Sequence, residues 1–191
     1  MSESVMQNEE RILLLQSYFS RSGLLLCNES KDLPGKFSIG GDWNSIITLM
    51  ERGEVFYSKL YKNRASYLSR ELYHQVKSFK QRVEKLSEKS KQVFEFIEAV
   101  DLASTQDVKN NLMISSKDFS ACMNELHREL FVTVIKRERT LNDRNWCSYY
   151  WGTYHRWEQL KPLPEVKLDA KRIDVLLSTI MTEKQTQSLL K

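Results

Sequence analysis

Long apolar runs are missing from this chain of 191 residues. The longest one near its start, Ile12–Leu15, is far shorter than the roughly 20 residues that a membrane-spanning helix requires. Residues 1–11 contain three glutamates and no basic residue before Arg11, a pattern that is atypical of secretory signals. We therefore expect a cytoplasmic protein that makes no contact with a membrane.

Patterns that would mark a metal site or a disulfide framework are also missing. The three cysteines are far apart and odd in number: Cys27, Cys122 and Cys147. The three histidines lack the close spacing of paired zinc ligands: His74, His127 and His155. Gly40-Gly41 is followed by Asp42, which excludes a phosphate-binding loop that ends in Gly-Lys-Ser/Thr. No metal and no cofactor is expected, and a reducing compartment suits the cysteine pattern.

Basic residues are concentrated in one part of the chain, although the net charge of +4 is modest. Residues 54–91 hold ten basic and four acidic side chains, an excess larger than that of the whole chain. A basic face over 54–91 could bind phosphates through the release of counterions. The alternative is an ordinary solvated helix surface.

The N-terminal region, residues 1–86, is predicted to be helical. Its helices are predicted from apolar periodicity over residues 7–19, 43–52 and 66–85. Asp42 is well placed to cap the second of them, because its carboxylate can accept hydrogen bonds from the amides of the first turn. Only LLLCN, after Gly23, is expected to form a short extended segment.

Residues 87–158 show the clearest supersecondary pattern. Three amphipathic segments at helical spacing predict three helices: KSKQVFEFIEAV (89–100), STQDVKNNLM (104–113) and SKDFSACMNELHREL (116–130). The β-branched run FVTVIK predicts a strand, the polar loop RERTLNDRNW follows, and CSYYWGTY predicts the returning strand. The predicted fold is therefore mainly α (α+β), a winged helix-turn-helix of three helices and a two-stranded wing after an N-terminal helical region.

Residues 159–191 are predicted to form a linker and a C-terminal helix. The linker is bounded by prolines, and the helix repeats apolar residues at Ile173, Leu176, Leu177 and Ile180. Such a helix could pack on its own domain or on a second subunit. A homodimer through the C-terminal helix is therefore a possible assembly.

Two segments of the chain resemble a known family: GDWNSIITLMERGEVFYSKLYKNRASYLSRELYHQV (41–76) and FVTVIKRERTLNDRNWCSYYWGTYHRW (131–157). The chain resembles, over about residues 20–158, the small bacterial AlkZ-related proteins, which stand near the AlkZ-type winged-helix DNA glycosylases. The resemblance implies DNA binding through winged-helix modules. Those glycosylases carry a catalytic Gln-x-Gln or Gln-x-Asp pair. Here Gln16-Ser17-Tyr18 lacks the second polar member and Gln185-Thr186-Gln187 lies in the C-terminal tail, so no catalytic residue is predicted.

The predicted DNA contacts lie on the third helix of the winged helix and on its wing, which reach the major groove and the backbone. On the helix, Asn124 could read adenine, while Lys117 or Arg128 could bind phosphate or guanine. The wing supplies four cations for the phosphate backbone: Lys136, Arg137, Arg139 and Arg144. His127 lies opposite the apolar stripe of the same helix and is expected to be solvated.

Three classes of function stay open. The leading hypothesis is a non-catalytic protein that binds double-stranded DNA. The second is a glycosylase-like repair enzyme that uses an unrecognised carboxylate; Asp42, Glu51 and Glu54 are available near Trp43. The third is a protein–protein interaction module, since acidic residues on the third helix would repel phosphate. Aromatic residues could stack on unpaired bases or form a core stripe: Phe56, Tyr57, Tyr61, Tyr67 and Tyr73.

Overall fold

Two small antiparallel sheets organise the structure, which a computed structural model describes over residues 3–140, 147–166 and 168–190. Each sheet has three strands, and helices cover them. The mixed α+β class that the sequence predicts is confirmed. In the described part of the chain, no helix combines the length and the apolar character needed to cross a membrane.

The first unit, residues 3–80, contains the first sheet. Its elements in chain order are α1 (Glu3–Ser22), β1 (Leu24–Leu26), a 3-10 turn (Phe37–Ile39), α2 (Trp43–Glu51), β2 (Val55–Tyr61), β3 (Arg64–Ser69) and α3 (Arg70–Lys80). The sheet order is β1-β3-β2. Lys62 and Asn63 join β2 to β3 with φ angles of 48° and 56°, the left-handed pair that a two-residue hairpin turn requires.

The helical prediction for the first unit is correct in part. Asp42 caps α2: its Oδ1 accepts the Ser45 amide at 2.8 Å, and Ser45 Oγ accepts the Asp42 amide at 2.9 Å. The extended segment after Gly23 is β1, as predicted. The helix predicted over residues 66–85 is wrong at both ends, because β3 continues to Ser69 and α3 spans only Arg70–Lys80. Residues 66–69 of β3 are all buried, so buried and exposed residues do not alternate along this strand.

The second unit, residues 88–160, contains the second sheet. Its elements are α4 (Glu88–Val100), β4 (Ala103–Ser104), α5 (Thr105–Leu112), α6 (Ser116–Arg128), β5 (Val132–Thr140), β6 (Cys147–Thr153) and α7 (Tyr154–Leu160). The three predicted helices and the two predicted strands are all present. The short strand β4, which pairs with β6 to give the order β4-β6-β5, was not predicted.

The two units share one connectivity, although the sequence shows no internal repeat. In each, a helix leads to a short strand, and that strand later pairs with the second strand of a hairpin: β1 with β3, and β4 with β6. The units also pack reciprocally, since α2 lies against β5 and α6 lies against β2. At the centre, the Tyr57 amide donates to Thr133 Oγ1 at 2.9 Å, and the Thr133 hydroxyl donates to the Tyr57 carbonyl at 3.0 Å.

The core joins both units and the C-terminal helices, α8 (Ala170–Leu177) and α9 (Glu183–Leu190). Trp157 is fully buried and packs edge-on against Phe56 at 5.0 Å and Tyr73 at 4.8 Å. Four of the five aromatic residues between 56 and 73 are buried: Phe56, Tyr61, Tyr67 and Tyr73. The apolar side of α8 is buried against the same chain, so this face of the predicted dimer helix is already occupied.

Candidate nucleic-acid interface

The β5–β6 hairpin carries two free cations on one face. Lys136 and Arg139 are exposed, and neither forms an ion pair with any residue that the structure describes. The register pairs Lys136 with Tyr150 and Arg139 with Ser148, and paired residues of antiparallel strands point to the same side. The Lys136 ammonium lies 4.9 Å from the centre of the Tyr150 ring, whose face attracts a cation. A polyanion would meet both charges from the solvent side.

Arg137 lies on the opposite face of the hairpin. It pairs with Tyr149 in the register and is half-buried. Its backbone amide donates to Glu51 Oε1 at 2.9 Å, and its Nη2 donates to Asn44 Oδ1 at 3.2 Å. These two hydrogen bonds connect the β5–β6 hairpin to α2. Arg144, the fourth predicted cation, lies outside the described residues.

Helix α6 presents only part of its predicted DNA-binding face. Lys117 and Arg128 are exposed, and Arg128 Nε donates to Glu129 Oε1 at 3.0 Å. Asn124 is half-buried, and its Oδ1 accepts a hydrogen bond from the Lys59 ammonium of β2. Because β2 covers the middle of α6, the two ends of the helix remain the accessible parts.

His127 is buried, and the expectation that it is solvated is wrong. Only 2% of the residue is exposed, since the Tyr57 and Trp151 rings pack against it at 5.0 Å each. Its Nδ1–H donates to the Val132 carbonyl at 2.8 Å. Burial lowers the pKa of His127 to about 3, against the weaker raising effect of that hydrogen bond. The imidazole is therefore neutral near pH 7 and adds no charge to an interface.

An aromatic pocket of about 190 Å³ lies beside the hairpin. Its lining is mostly rings and thiols: Cys27, Trp43, Tyr57, Ala65, Tyr67, Cys147 and Tyr149. Burial raises the pKa of Tyr57 to about 12 and also raises that of Tyr149, so both hydroxyls stay protonated and can donate. Among the residues that the structure describes, the lining includes no carboxylate that could activate a water molecule. Such a pocket is suited to holding a flat ring by stacking.

Lys36 contacts two residues that line this pocket, Cys27 and Trp43, and was missed by the sequence analysis. It is fully buried, with Nζ 3.5 Å from the centre of the Trp43 ring. The ammonium donates to the Cys27 carbonyl at 2.9 Å, and burial lowers its pKa. A single lysine between Gly35 and Phe37 in a loop carries no periodic signal, so only the folded chain reveals its position.

A second cavity, of about 300 Å³, contains a glutamine–carboxylate pair. Gln16 Nε2 donates to Glu54 Oε2 at 2.7 Å, which joins α1 to the segment before β2. Glu71 also lines this cavity, but its Oε1 accepts from Arg172 Nε at 2.6 Å. Glu54 is therefore the lining carboxylate that no cation engages in the described part of the chain.

The basic residues of 54–91 do not share one solvated face. Arg70 is buried, donates to the carbonyls of Glu158 and Lys161, and lies 4.1 Å from the Trp157 ring. Several of the lysines are in ion pairs of 2.6 to 2.9 Å: Lys62–Asp32, Lys77–Glu158, Lys89–Asp118 and Lys91–Glu88. Arg82 and Lys85 are exposed.

Metal ligation has no support in the side chains that the structure describes, which bring no three His, Cys, Asp or Glu residues together around a possible ion. Comparison with known proteins adds one family match. A model of the family described as AlkZ related matches residues 40–191. This match begins later than the resemblance in the sequence and extends further, through α8 and α9. No curated protein and no solved structure matches the chain significantly.

Proposed function

Since the chain belongs to the AlkZ-related family, we propose that it binds double-stranded DNA and that the β5–β6 hairpin acts as a wing on the phosphate backbone. Both units would be winged helices. The support is their shared order of helix, short strand, helical turn or helix, helix and hairpin, with the short strand paired to the second hairpin strand. The glycosylase-like relation of the family is consistent with a role on damaged DNA.

One observation carries this proposal: Lys136 and Arg139 are exposed together on one face of the hairpin, and neither forms a hydrogen bond or an ion pair through its side chain with the described residues. A free cation can exchange its counterion for a phosphate, and the released counterion drives binding. Base reading by α6 has less support, because Asn124 already accepts from Lys59 and β2 covers the middle of the helix. The expected contact is therefore with the backbone and tolerates changes of DNA sequence.

The test is a fluorescence-anisotropy titration of duplex and single-stranded DNA at two salt concentrations. The variant Lys136→Ala/Arg139→Ala should weaken duplex binding and reduce the salt slope by about two, since each phosphate contact contributes about 0.9. The matched control is Arg82→Ala/Lys85→Ala, which removes two exposed cations far from the hairpin in sequence. Equal losses in both variants, or no binding by the wild type at low salt, would reject the hairpin as the wing.

A second candidate function, excision of an alkylated base, is favoured by the Gln16–Glu54 pair in its cavity. Glu54 would take a proton from water, the hydroxyl oxygen would bond to the sugar C1′, and the base would leave with the electrons of the N-glycosidic bond. Glu54→Gln should abolish base release from alkylated DNA, while Glu84→Gln, at an exposed position outside the cavity, should not. Absence of released base with the wild-type protein would exclude this function.

A further inference from the structure

A buried lysine lacks a partner near the C-terminal end of α3. Lys80 is 5% exposed, yet its ammonium forms no hydrogen bond or ion pair with any residue in the described part of the chain. The nearest opposite charge that acts on it is Glu129, whose Oε1 already accepts from Arg128 Nε at 3.0 Å. The stem of the side chain is buried, while its ammonium keeps some access to solvent and has no direct counter-ion in the described part of the chain. A bound anion would supply that counter-ion.

The Lys80 side chain lines a cavity of about 280 Å³. The turn after β2, the end of α3, the end of α6 and α9 enclose it, and six hydrogen-bond donors line it: Lys62, Asn63, Lys80, Arg128, Gln185 and Ser188. The lining contains three cations and one carboxylate, Glu129. Lys62 is paired with Asp32 and Arg128 with Glu129, so Lys80 is the lining cation that has no ion pair in the described part of the chain. Because Glu129 engages only the Nε of Arg128, both terminal nitrogens of that guanidinium remain available.

Gln185 supplies a neutral hydrogen-bond donor to the lining of this cavity. Its Oε1 accepts the Thr182 amide at 2.8 Å and the Thr182 hydroxyl at 3.0 Å. A backbone amide can only donate, so the oxygen must face Thr182 and the NH₂ group is left for the cavity. The sequence analysis placed Gln185 in a C-terminal tail; in the structure α9 brings it within the same cavity as Lys80.

We propose that this cavity binds the phosphate of a nucleotide, with Lys80 and Arg128 as its charged partners and Gln185 as a neutral donor. Phosphate oxygens accept several charge-assisted hydrogen bonds at once, and a guanidinium matches their geometry. The phosphate can belong to a free nucleotide or to a nucleic-acid backbone. The backbone source rests on the proposed DNA binding, whereas the free nucleotide does not.

The first arm of the test measures thermal unfolding with adenosine monophosphate, with adenosine alone, and at matched ionic strength. The variant is Lys80→Met, which should stay folded because it keeps an unbranched side chain of similar size at a buried position and breaks no hydrogen bond or ion pair in the described part of the chain. The control is Lys85→Met, an exposed lysine outside the cavity. The monophosphate should raise the Tm of the wild type and of Lys85→Met but not of Lys80→Met. An equal rise with adenosine, or an equal rise in Lys80→Met, would overturn the phosphate site.

The second arm titrates a DNA duplex with the same three proteins and with Arg128→Gln. If the backbone supplies the phosphate, Lys80→Met should bind about tenfold more weakly than Lys85→Met, the loss expected for a charge-assisted hydrogen bond. Arg128→Gln should show a smaller loss and serves as the second variant if Lys80→Met fails to fold. No effect in either arm would overturn the proposal, even where the Lys136/Arg139 variant confirms DNA binding. Without DNA binding, the monophosphate arm alone decides.

Discussion

The two hairpins of this protein have the same connectivity but different surroundings. The β2–β3 hairpin turns at Lys62–Asn63 and lies mostly in the core, with Phe56 and Leu68 fully buried. The β5–β6 hairpin begins in the core at Val132 and Val134 and then carries the exposed Lys136 and Arg139. A shared topology therefore does not decide which strand ends reach solvent. The exposure of a strand end depends on whether the other unit packs against it.

The cations in and beside the two hairpins also differ in their surroundings. Arg70, directly after the first hairpin, is buried and binds backbone carbonyls of α7 and of the segment behind it. Lys136 and Arg139 in the second hairpin hold no element together among the described residues. Arg70 therefore has a structural role, whereas ligand binding by Lys136 and Arg139 stays a prediction, and the following substitutions test that difference.

The largest effect is expected for Arg70→Met. The change leaves the carbonyls of Gly53, Glu158 and Lys161 without their donor, so the free energy of unfolding should fall by about 3 kcal/mol. Urea unfolding measures it. The matched variant Arg139→Met should change stability by no more than about 0.5 kcal/mol. Similar losses in the two variants would erase the distinction between structural and free cations.

Lowering the pH should reduce the stability of the protein, because His127 of α6 is buried beneath β2. The pKa of His127 is about 3 in the folded protein, against an ordinary value of 6.5. Between pH 3 and pH 6.5, the imidazole is therefore protonated in the unfolded chain but neutral in the folded one. The free energy of unfolding should fall as the pH drops below about 6.5, by roughly 2 kcal/mol at pH 5.

Urea unfolding at pH 7 and pH 5 measures this effect, and His127→Gln serves as the comparison. The glutamine NH₂ can still donate to the Val132 carbonyl but does not titrate. The variant should therefore lose much less stability than the wild type over this pH interval. An unchanged pH dependence would mean that β2 does not bury the imidazole in solution.

The smallest effect concerns matching turns in the two units. Gly40 ends the 3-10 turn of the first unit with φ 86°, while Met113 ends α5 of the second with φ 50°. The Met113 side chain is 91% exposed, so its removal breaks little packing. Met113→Gly should relieve the left-handed strain and stabilise the protein by about 0.5 to 1 kcal/mol. Thermal unfolding measures it; destabilisation would show that Met113 makes contacts of its own.

Local patterns predicted much of the second unit. The stripe from Phe119 to Leu126 and the β-branched run after Leu130 specify α6 and β5 through neighbouring residues alone. The first unit was harder, because β3 pairs with β1 and β2 and its residues 66–69 are all buried, which removes the alternation that marks a strand. Its hairpin was therefore missed, and part of β3 was taken for helix.

The residues of the candidate site also fall into those whose exposure was predicted and those whose burial was not. The exposure of Lys117, Arg128, Lys136 and Arg139 agrees with their predicted role, although DNA contact by any of them stays a prediction. The half-buried positions of Asn124 and Arg137 were not foreseen, since their partners Lys59 and Asn44 come from the first unit. The division of the chain at residues 86 and 158 also stays a prediction.

By itself, the sequence determined the three helices of the second unit, the cap of α2, the second hairpin and the cations that it carries, because periodicity, capping and turn chemistry act over a few neighbouring residues. Only the tertiary structure decided which cations are free, that His127 is neutral, and that Lys80 and Gln185 share a cavity. These properties depend on burial and pairing between distant segments, such as Tyr57 and Thr133, which are 76 residues apart. Such contacts exist only once the two units pack together.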